Sequence, residues 1–349
     1  MITDGPHGLR KQKDNFEGFS GSDNVPATCF PTASALASTW NRDLIRAVGA
    51  AIGEEARAEQ VGVVLGPGVN IKRSPLCGRN FEYYSEDPYL SGVLATAFIN
   101  GVQSTGVGAS IKHFAANNQE HRRLTIDAIV DERALREIYL ASFEQAVKVG
   151  KPWTVMAAYN RLNGAFCSEH TELLTSILRE EWGFEGLVVS DWGAVNQRAV
   201  GLAAGLDLEM PGLKGVHDGK VLQAIQEGEL PVATLDWAVE RVLKLIDKAT
   251  EAGASPDSYD HEQHHDLART AAAEGAVLLK NEGELLPLTS DQKVAVIGEF
   301  AKIPRYQGER VARLLRPPAW TTLSRRLLNG WEVGRSSATR QAIMPTQSW

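Results

Sequence analysis

The 349-residue chain carries 43% hydrophobic and 23% charged residues and a formal net charge of −7. That is apolar material for one large α/β domain of roughly 200 to 250 residues plus part of another, and the acidic balance disfavours a nucleic-acid partner held by general electrostatics while leaving a neutral substrate open. Cys29, Cys77 and Cys167 are far apart and show no metal-ligand pairing, so free thiols in a reducing compartment are expected.

The opening residues lack a signal-peptide pattern and no apolar run reaches the roughly 20 residues that span a bilayer, so the expected setting is cytoplasmic, with no membrane partner. Asp4 lies in an Asp4-Gly5-Pro6 turn at the end of a first strand. Helical spacing over residues 47–60 leads to Val61-Gly62-Val63-Val64-Leu65, a strand closed by Gly66-Pro67-Gly68. The pattern then repeats. A helix over 90–103 precedes a strand over 108–113, and acidic residues at 131–137 open a helix before the strand at 153–160. A helix over 171–182 leads to a strand over 186–191; after one more helix, residues 205–211 read as another short strand. Near-continuous apolar strands alternating with helices predict an α/β parallel sheet. Polar residues at the strand C-termini favour a TIM-type (β/α) barrel over its rival, a doubly wound sheet.

The barrel is expected over residues 1–250, followed by a linker over 251–264. His261, His264 and His265 in that polar stretch read as solvated side chains and not as metal ligands. The start of an incomplete α/β sandwich domain is expected over 265–307, with strands at 276–280 and 293–298. From Gly308 onward every basic residue is arginine and apolar periodicity fades. Residues 308–349 are therefore expected to be an unrelated tail, from a change of reading frame or a solvated basic extension.

Retaining glycoside hydrolysis needs one carboxylate against the anomeric carbon and a second carboxyl group roughly 5 Å away as acid/base. Asp191, in Val188-Val189-Ser190-Asp191-Trp192-Gly193, ends an apolar strand where a barrel opens its site, and Trp192 offers a face to a sugar. Alone, the segment also reads as a helix N-cap. Lys112-His113 emerges at the same rim, suited to donate to sugar hydroxyls or to make a surface ion pair. Arg79 and Glu82 lie in a charge-dense loop, Tyr159-Asn160 forms a strand tip, and Asp207 and Glu209 alternate with apolar residues as supporting groups near the site. No zinc, magnesium or phosphate-loop pattern emerges, so no cofactor is expected. A barrel aldolase using Lys112 as a Schiff-base amine is the competing enzyme class, though it leaves Asp4, Arg79 and Asp191 without a role.

Five segments in order resemble glycoside hydrolase family 3 β-glucosidases over residues 1–307: Thr3-Asp4-Gly5-Pro6-His7-Gly8-Leu9-Arg10, Gly78-Arg79-Asn80-Phe81-Glu82, Lys112-His113-Phe114, Asn117-Asn118-Gln119-Glu120 and Ser190-Asp191-Trp192-Gly193. The resemblance implies a (β/α) barrel, or a modified one, followed by an α/β sandwich. It implies hydrolysis of terminal non-reducing β-D-glucosyl residues of a β-glucoside or β-linked oligosaccharide, with Asp191 as nucleophile. By the same resemblance Asp4, Arg79, Lys112, His113, Arg123 and Tyr159 bind the terminal sugar and Trp192 walls the pocket. The N-acetylhexosaminidase branch carries Gly-His-Gly where this chain has Ala115-Ala116-Asn117-Asn118. This favours the glucosidase branch, with β-N-acetylhexosaminidase or β-xylosidase specificity as alternatives. In the glucosidase branch the acid/base is a glutamate well inside the second domain, beyond Gln307, where the family pattern stops here. Impaired turnover, or a non-catalytic fragment truncated at both ends, is the corresponding expectation.

Overall fold

The structure, a computed structural model, describes residues 1–5, 7–12, 24–251, 258–289, 292, 294, 295, 297 and 298. In chain order the strands are β1 (Ile2–Asp4), β2 (Val63–Leu65), β3 (Gly108–Phe114), β4 (Asp127–Ala128), β5 (Thr154–Ala157), β6 (Arg161–Leu162), β7 (Ala165–Phe166) and β8 (Leu187–Ser190). The α-helices are α1 (Ala33–Ala37), α2 (Arg42–Ala58), α3 (Pro88–Gln103), α4 (Glu132–Ala134), α5 (Ala141–Gln145), α6 (Arg198–Ala204), α7 (Asp218–Gln226), α8 (Val232–Glu251) and α9 (His261–Glu274).

Strands β1, β2, β3, β5 and β8 pair in that order and every pair is parallel. Spatial order that follows chain order without reversal belongs to a barrel wound one way; a doubly wound sheet reverses at a switch point. Every residue of β2, β3, β5 and β8 is buried, which is why these segments read as unbroken apolar runs. Leu65, Met156, Leu187 and Val189 form one buried cluster with the partly buried Ile2 and Leu208. Side chains from the first and last strands thus meet, so the sheet curls. It stays a half-barrel: Val242 and Leu245 of α8 pack against that same cluster, and beyond β8 the described residues supply a single parallel bridge, Val189 to Leu208. Strands β4, β6 and β7 make a separate small sheet.

Local sequence explains the helices. Asn41 Oδ1 accepts the N–H groups of Asp43 and Leu44 to start α2, and Asp87 caps α3 with Pro88 in its first turn. Helices α2 and α3 approach through glycine: a Cβ on Gly49 would lie 2.5 Å from the Phe98 carbonyl oxygen, and one on Gly101 would lie 2.1 Å from that of Arg46. The helix expected after Asp131 is present but divided, with π-helical turns at Leu135–Tyr139 and Ala146–Gly150 on either side of α5.

Three expectations are corrected. Residues 205–211 form no strand beyond the Leu208 bridge; the carbonyls of Gly205, Leu206 and Asp207 accept from the Arg179 and Arg198 side chains and not from a neighbouring strand. Residues 276–280 form no strand either, and Val277, Leu278 and Leu279 are exposed. Of the strand expected at 293–298, Lys293 and Val296 lie outside the described residues and the others are irregular. The tail at 308–349 also lies outside them.

The third correction concerns the polar stretch around 251–264. Helix α8 runs to Glu251 and α9 starts at His261, while residues 252–257 lie outside the described residues. His264, expected in solvent, is 3% exposed. Its Nδ1 lies 2.9 Å from Glu55 Oε1 and its Nε2 lies 3.1 Å from Glu54 Oε2, so α9 is clamped along α2. Glu55 Oε2 also accepts the Thr28 N–H at 3.0 Å. Burial alone would lower the His264 pKa, but hydrogen bonds and charge from Glu55 and Glu54 raise it above the ordinary 6.5. A histidine raised by folding contributes stability that is complete below its unfolded value and is lost as pH rises through its folded value. Amides of α9 should therefore resist hydrogen exchange below pH 6.5 and lose protection above it, and His264→Gln should flatten that dependence. Intrinsic-rate-corrected exchange that is flat across this range in the unaltered chain would contradict the clamp.

Candidate active site

The C-terminal ends of the parallel strands gather one set of side chains. Asp4 ends β1, Lys112 and His113 lie near the end of β3, Tyr159 follows β5, and Asp191 follows β8. Asp191 is held by its own N–H, which donates to the Ala157 carbonyl at 3.2 Å, and by Oδ1, which accepts the Trp192 N–H at 2.7 Å. The residue is 7% exposed, and its Oδ2 has no hydrogen-bond partner within 3.5 Å. Arg79 Nη1 stands 4.0 Å from Oδ2 and His113 Nε2 stands 3.5 Å from it. Burial raises the Asp191 carboxyl above its ordinary value; Arg79 is the largest opposing influence, helped by the Trp192 N–H, Lys112 and the Tyr159 phenol.

Lys112 is almost wholly buried, with Nζ 2.7 Å from Asp4 Oδ1 and 3.7 Å from Glu82 Oε2. Arg10 Nη1 reaches the other Asp4 oxygen at 3.1 Å. Burial would raise the Asp4 pKa, but Lys112 and Arg10 overcome it and hold the carboxyl below its ordinary value. Glu82 also pairs with Arg79 Nε, so one buried carboxylate joins two cations. His113 is fixed at its backbone by Asn70, whose Oδ1 accepts the His113 N–H at 2.8 Å and whose Nδ2 donates to the His113 carbonyl at 2.9 Å. Burial, then the charges of Arg79, Lys112 and Arg123, keep the imidazole pKa well below its ordinary value, so the ring is neutral.

The Arg123 guanidinium lies 4.5 Å over the Tyr159 ring and pairs with Glu120 at 2.6 Å. Trp192, next to Asp191, is 37% exposed. All eight site residues expected from the sequence therefore occupy this end of the sheet or the loops beside it. Lys112, held between two carboxylates, is not the uncommitted amine that an aldolase needs.

Asp207 and Glu209 are corrected from supporting groups of the site to structural ones. Asp207 accepts from Arg179 at 2.6 Å, Arg241 at 3.0 Å and the Val188 N–H at 2.7 Å, while Glu209 meets His217 at 2.9 Å. Asn160 likewise ties the strand ends together, donating to the Ala115 carbonyl. Asn70 and Tyr83 were not expected at the site: neither belongs to a motif, and each meets His113 only through a contact distant in sequence. Among the described residues no group of three or more His, Cys, Asp or Glu side chains could hold a metal ion, and no helix is long and apolar enough to cross a membrane.

With this geometry in view, residues 12–245 match the family described as the glycosyl hydrolase family 3 N terminal domain. A thermostable beta-glucosidase B of Acetivibrio thermocellus is 61% identical over 308 residues, which are 88% of this chain and 41% of that protein. An exo-alpha-(1->6)-L-arabinopyranosidase of Bifidobacterium breve is 52% identical over 320 residues, 88% of this chain and 42% of that one. The crystal structure of a beta-glucosidase of Bifidobacterium adolescentis superposes with a TM-score of 0.87 at 48% identity, covering 95% of this chain and 47% of that one. The chain thus spans about two fifths of the length of the curated relatives it matches.

Proposed function

The chain belongs to glycosyl hydrolase family 3, and from that premise we propose that it carries the sugar-binding and nucleophile half of a retaining β-glucosidase site. The observation that carries this reading is Asp191 Oδ2: a buried carboxylate oxygen with no hydrogen-bond partner within 3.5 Å, facing Arg79 at the open end of a parallel sheet. Its lone pairs are free to attack, and Arg79 and Lys112 favour the ionised form that attack requires. Attack on the anomeric carbon as the aglycone leaves gives a glycosyl ester. Water entering on the opposite side of that ester restores the original anomeric configuration. In this reading Asp4, Arg79, Lys112, His113, Arg123 and Tyr159 surround the terminal sugar and Trp192 walls the pocket.

Asp4 and Glu82 are each committed to Lys112, which leaves neither as the acid/base. We assign that role to a group outside the described residues. General acid catalysis supplies about 10²- to 10⁴-fold, chiefly for poor leaving groups. A chain that lacks that group should cleave a dinitrophenyl β-glucoside but fall behind on cellobiose by about that factor, as steady-state kcat/KM would show. Equal efficiency on the two would contradict its absence. A chain that melts non-cooperatively and elutes as aggregate would instead favour the non-catalytic fragment.

A second specificity is favoured by the Bifidobacterium breve relative, which is named for arabinopyranoside cleavage. L-arabinopyranose lacks the hydroxymethyl group of glucose, so paired aryl α-L-arabinopyranoside and β-glucoside assays separate the readings. For either sugar, Arg79→Ala removes the largest influence opposing the burial effect on Asp191. The acid limb of kcat/KM should move to higher pH in that variant; an unmoved limb would contradict the electrostatic role. The proposed setting is cytoplasmic. The proposed organisation is a barrel portion at 1–250, a linker at 251–264, the start of a sandwich domain at 265–307 and a distinct tail at 308–349.

A further inference from the structure

His113 sits between two polar neighbours and beside the proposed nucleophilic oxygen. Arg79 Nη2 is 2.8 Å from its Nε2, and the Tyr83 hydroxyl is 3.1 Å from its Nδ1. A guanidinium has donors and no acceptor. At this distance Nε2 must therefore accept, because an Nε2–H would place two donors head to head. A neutral imidazole carries one ring proton, so that proton is on Nδ1 and is donated to the Tyr83 oxygen. Both rings are essentially inaccessible to solvent, and Tyr83 and His113 meet edge to face at 6.1 Å between centroids. Water is thus excluded as the alternative partner.

The consequence falls on Asp191. Its Oδ2 lies 3.5 Å from His113 Nε2 and has no hydrogen-bond partner. An Nε2–H tautomer would turn that contact into a donor aimed at Oδ2, lowering the availability of the lone pair that attacks carbon. We propose that Tyr83 is a positioning residue: by accepting from Nδ1 it acts with Arg79, at the other ring nitrogen, to hold His113 in the Nδ1–H tautomer, so that no histidine N–H is aimed at the reactive oxygen of Asp191. His113 then serves as an acceptor and a spacer. This differs from the hydrogen-bond donor to sugar that its position in the sequence suggests. The proposal rests on the nucleophile assignment for its catalytic consequence, though the tautomer itself does not.

The test is nitrogen NMR on the full chain with ¹⁵N-labelled histidine, assigning the His113 signals by their loss in His113→Gln. The unaltered chain should show Nδ1 protonated and Nε2 bare. In Tyr83→Phe, which keeps the ring and removes the oxygen, the signals should move toward the Nε2–H form. Glycosyl-enzyme formation from an activated aryl glucoside should then fall by about tenfold, the scale of one hydrogen bond, with KM little changed. Urea unfolding of the same variant separates loss of fold from loss of position. An Nε2-protonated or doubly protonated His113 in the unaltered chain overturns the proposal, as does Tyr83→Phe with its tautomer or its glycosylation rate unchanged. If the chain cleaves no glycoside yet shows an Nδ1–H tautomer that Tyr83→Phe shifts, the hydrolase reading fails while the assignment of the proton by Tyr83 stands.

Discussion

Asp191→Ala should lower the rate of glycosyl-enzyme formation from an activated aryl glucoside by about 10⁴-fold or more, the scale on which removing one member of a covalent catalytic set acts. Nothing beside Asp191 can replace it, since Asp4 is engaged by Lys112 and Arg10 and Glu82 by Arg79 and Lys112, whereas the cation facing Asp191 Oδ2, Arg79, stands back at 4.0 Å. The fold should not suffer in step. Burial raises the Asp191 pKa above its ordinary value, which means that folding disfavours the anion relative to the unfolded chain. Removing such a group relieves a cost, while Arg79 retains Glu82. The melting temperature of the variant should equal or exceed that of the parent, as is common when a strained functional group is deleted. Stopped-flow release of the aryl leaving group measures the first effect and a thermal melt the second. A burst of undiminished rate would contradict the nucleophile assignment.

The second large effect is on stability. Asp207→Ala should destabilise the chain by about 3–5 kcal/mol, the cost of removing one partner from a buried ion pair. Asp207 has a side chain only 1% exposed and holds Arg179 from the segment before β8 and Arg241 from α8. It also accepts the Val188 N–H within β8, so the substitution strands two guanidinium groups and a backbone donor. Burial raises the Asp207 carboxyl despite Arg179 and Arg241, which marks the pair as a device for fixing α8 against the open side of the half-barrel more than a source of net electrostatic gain. Urea unfolding at neutral pH gives the measurement through the shift in midpoint at constant slope. A change below about 1 kcal/mol, the scale of exposed pairs, would contradict this role.

The parallel sheet was legible because its strands are buried on both faces, so β2, β3, β5 and β8 each appear as an apolar run, with polar tips on β3, β5 and β8; that the barrel stays half closed was not. Asp4, Lys112, His113 and Asp191 could be placed at one rim from that pattern alone, before any side-chain contact was known. Their partners were less visible. Tyr83 and Asn70 act through buried hydrogen bonds across 30 and 43 residues of sequence, and no local spacing encodes such a pairing. His264 shows the same limit from the other side: in a polar stretch it looks solvated, yet α9 lies along α2 and places it between Glu54 and Glu55.

The strand expected at 276–280 failed for a different reason. Apolar β-forming residues describe a segment's preference, but a strand exists only where a neighbour supplies hydrogen bonds, and residues 276–280 pair with no strand among the described residues. Asp207 was misjudged because alternation of charged and apolar residues fits both a site-lining strand and a buried ionic anchor. Only the positions of Arg179 and Arg241 distinguish the two.

The most direct measurement of the central claim is the site of covalent attachment. A 2-deoxy-2-fluoro β-glucoside with an activated leaving group slows both chemical steps by destabilising positive charge at the anomeric carbon, so the glycosyl ester accumulates. Intact mass should rise by one fluoroglucosyl unit, and fragmentation of the digested protein should place it on Asp191, with no adduct in Asp191→Ala. An adduct on another carboxylate, or one that persists in Asp191→Ala, would contradict the account.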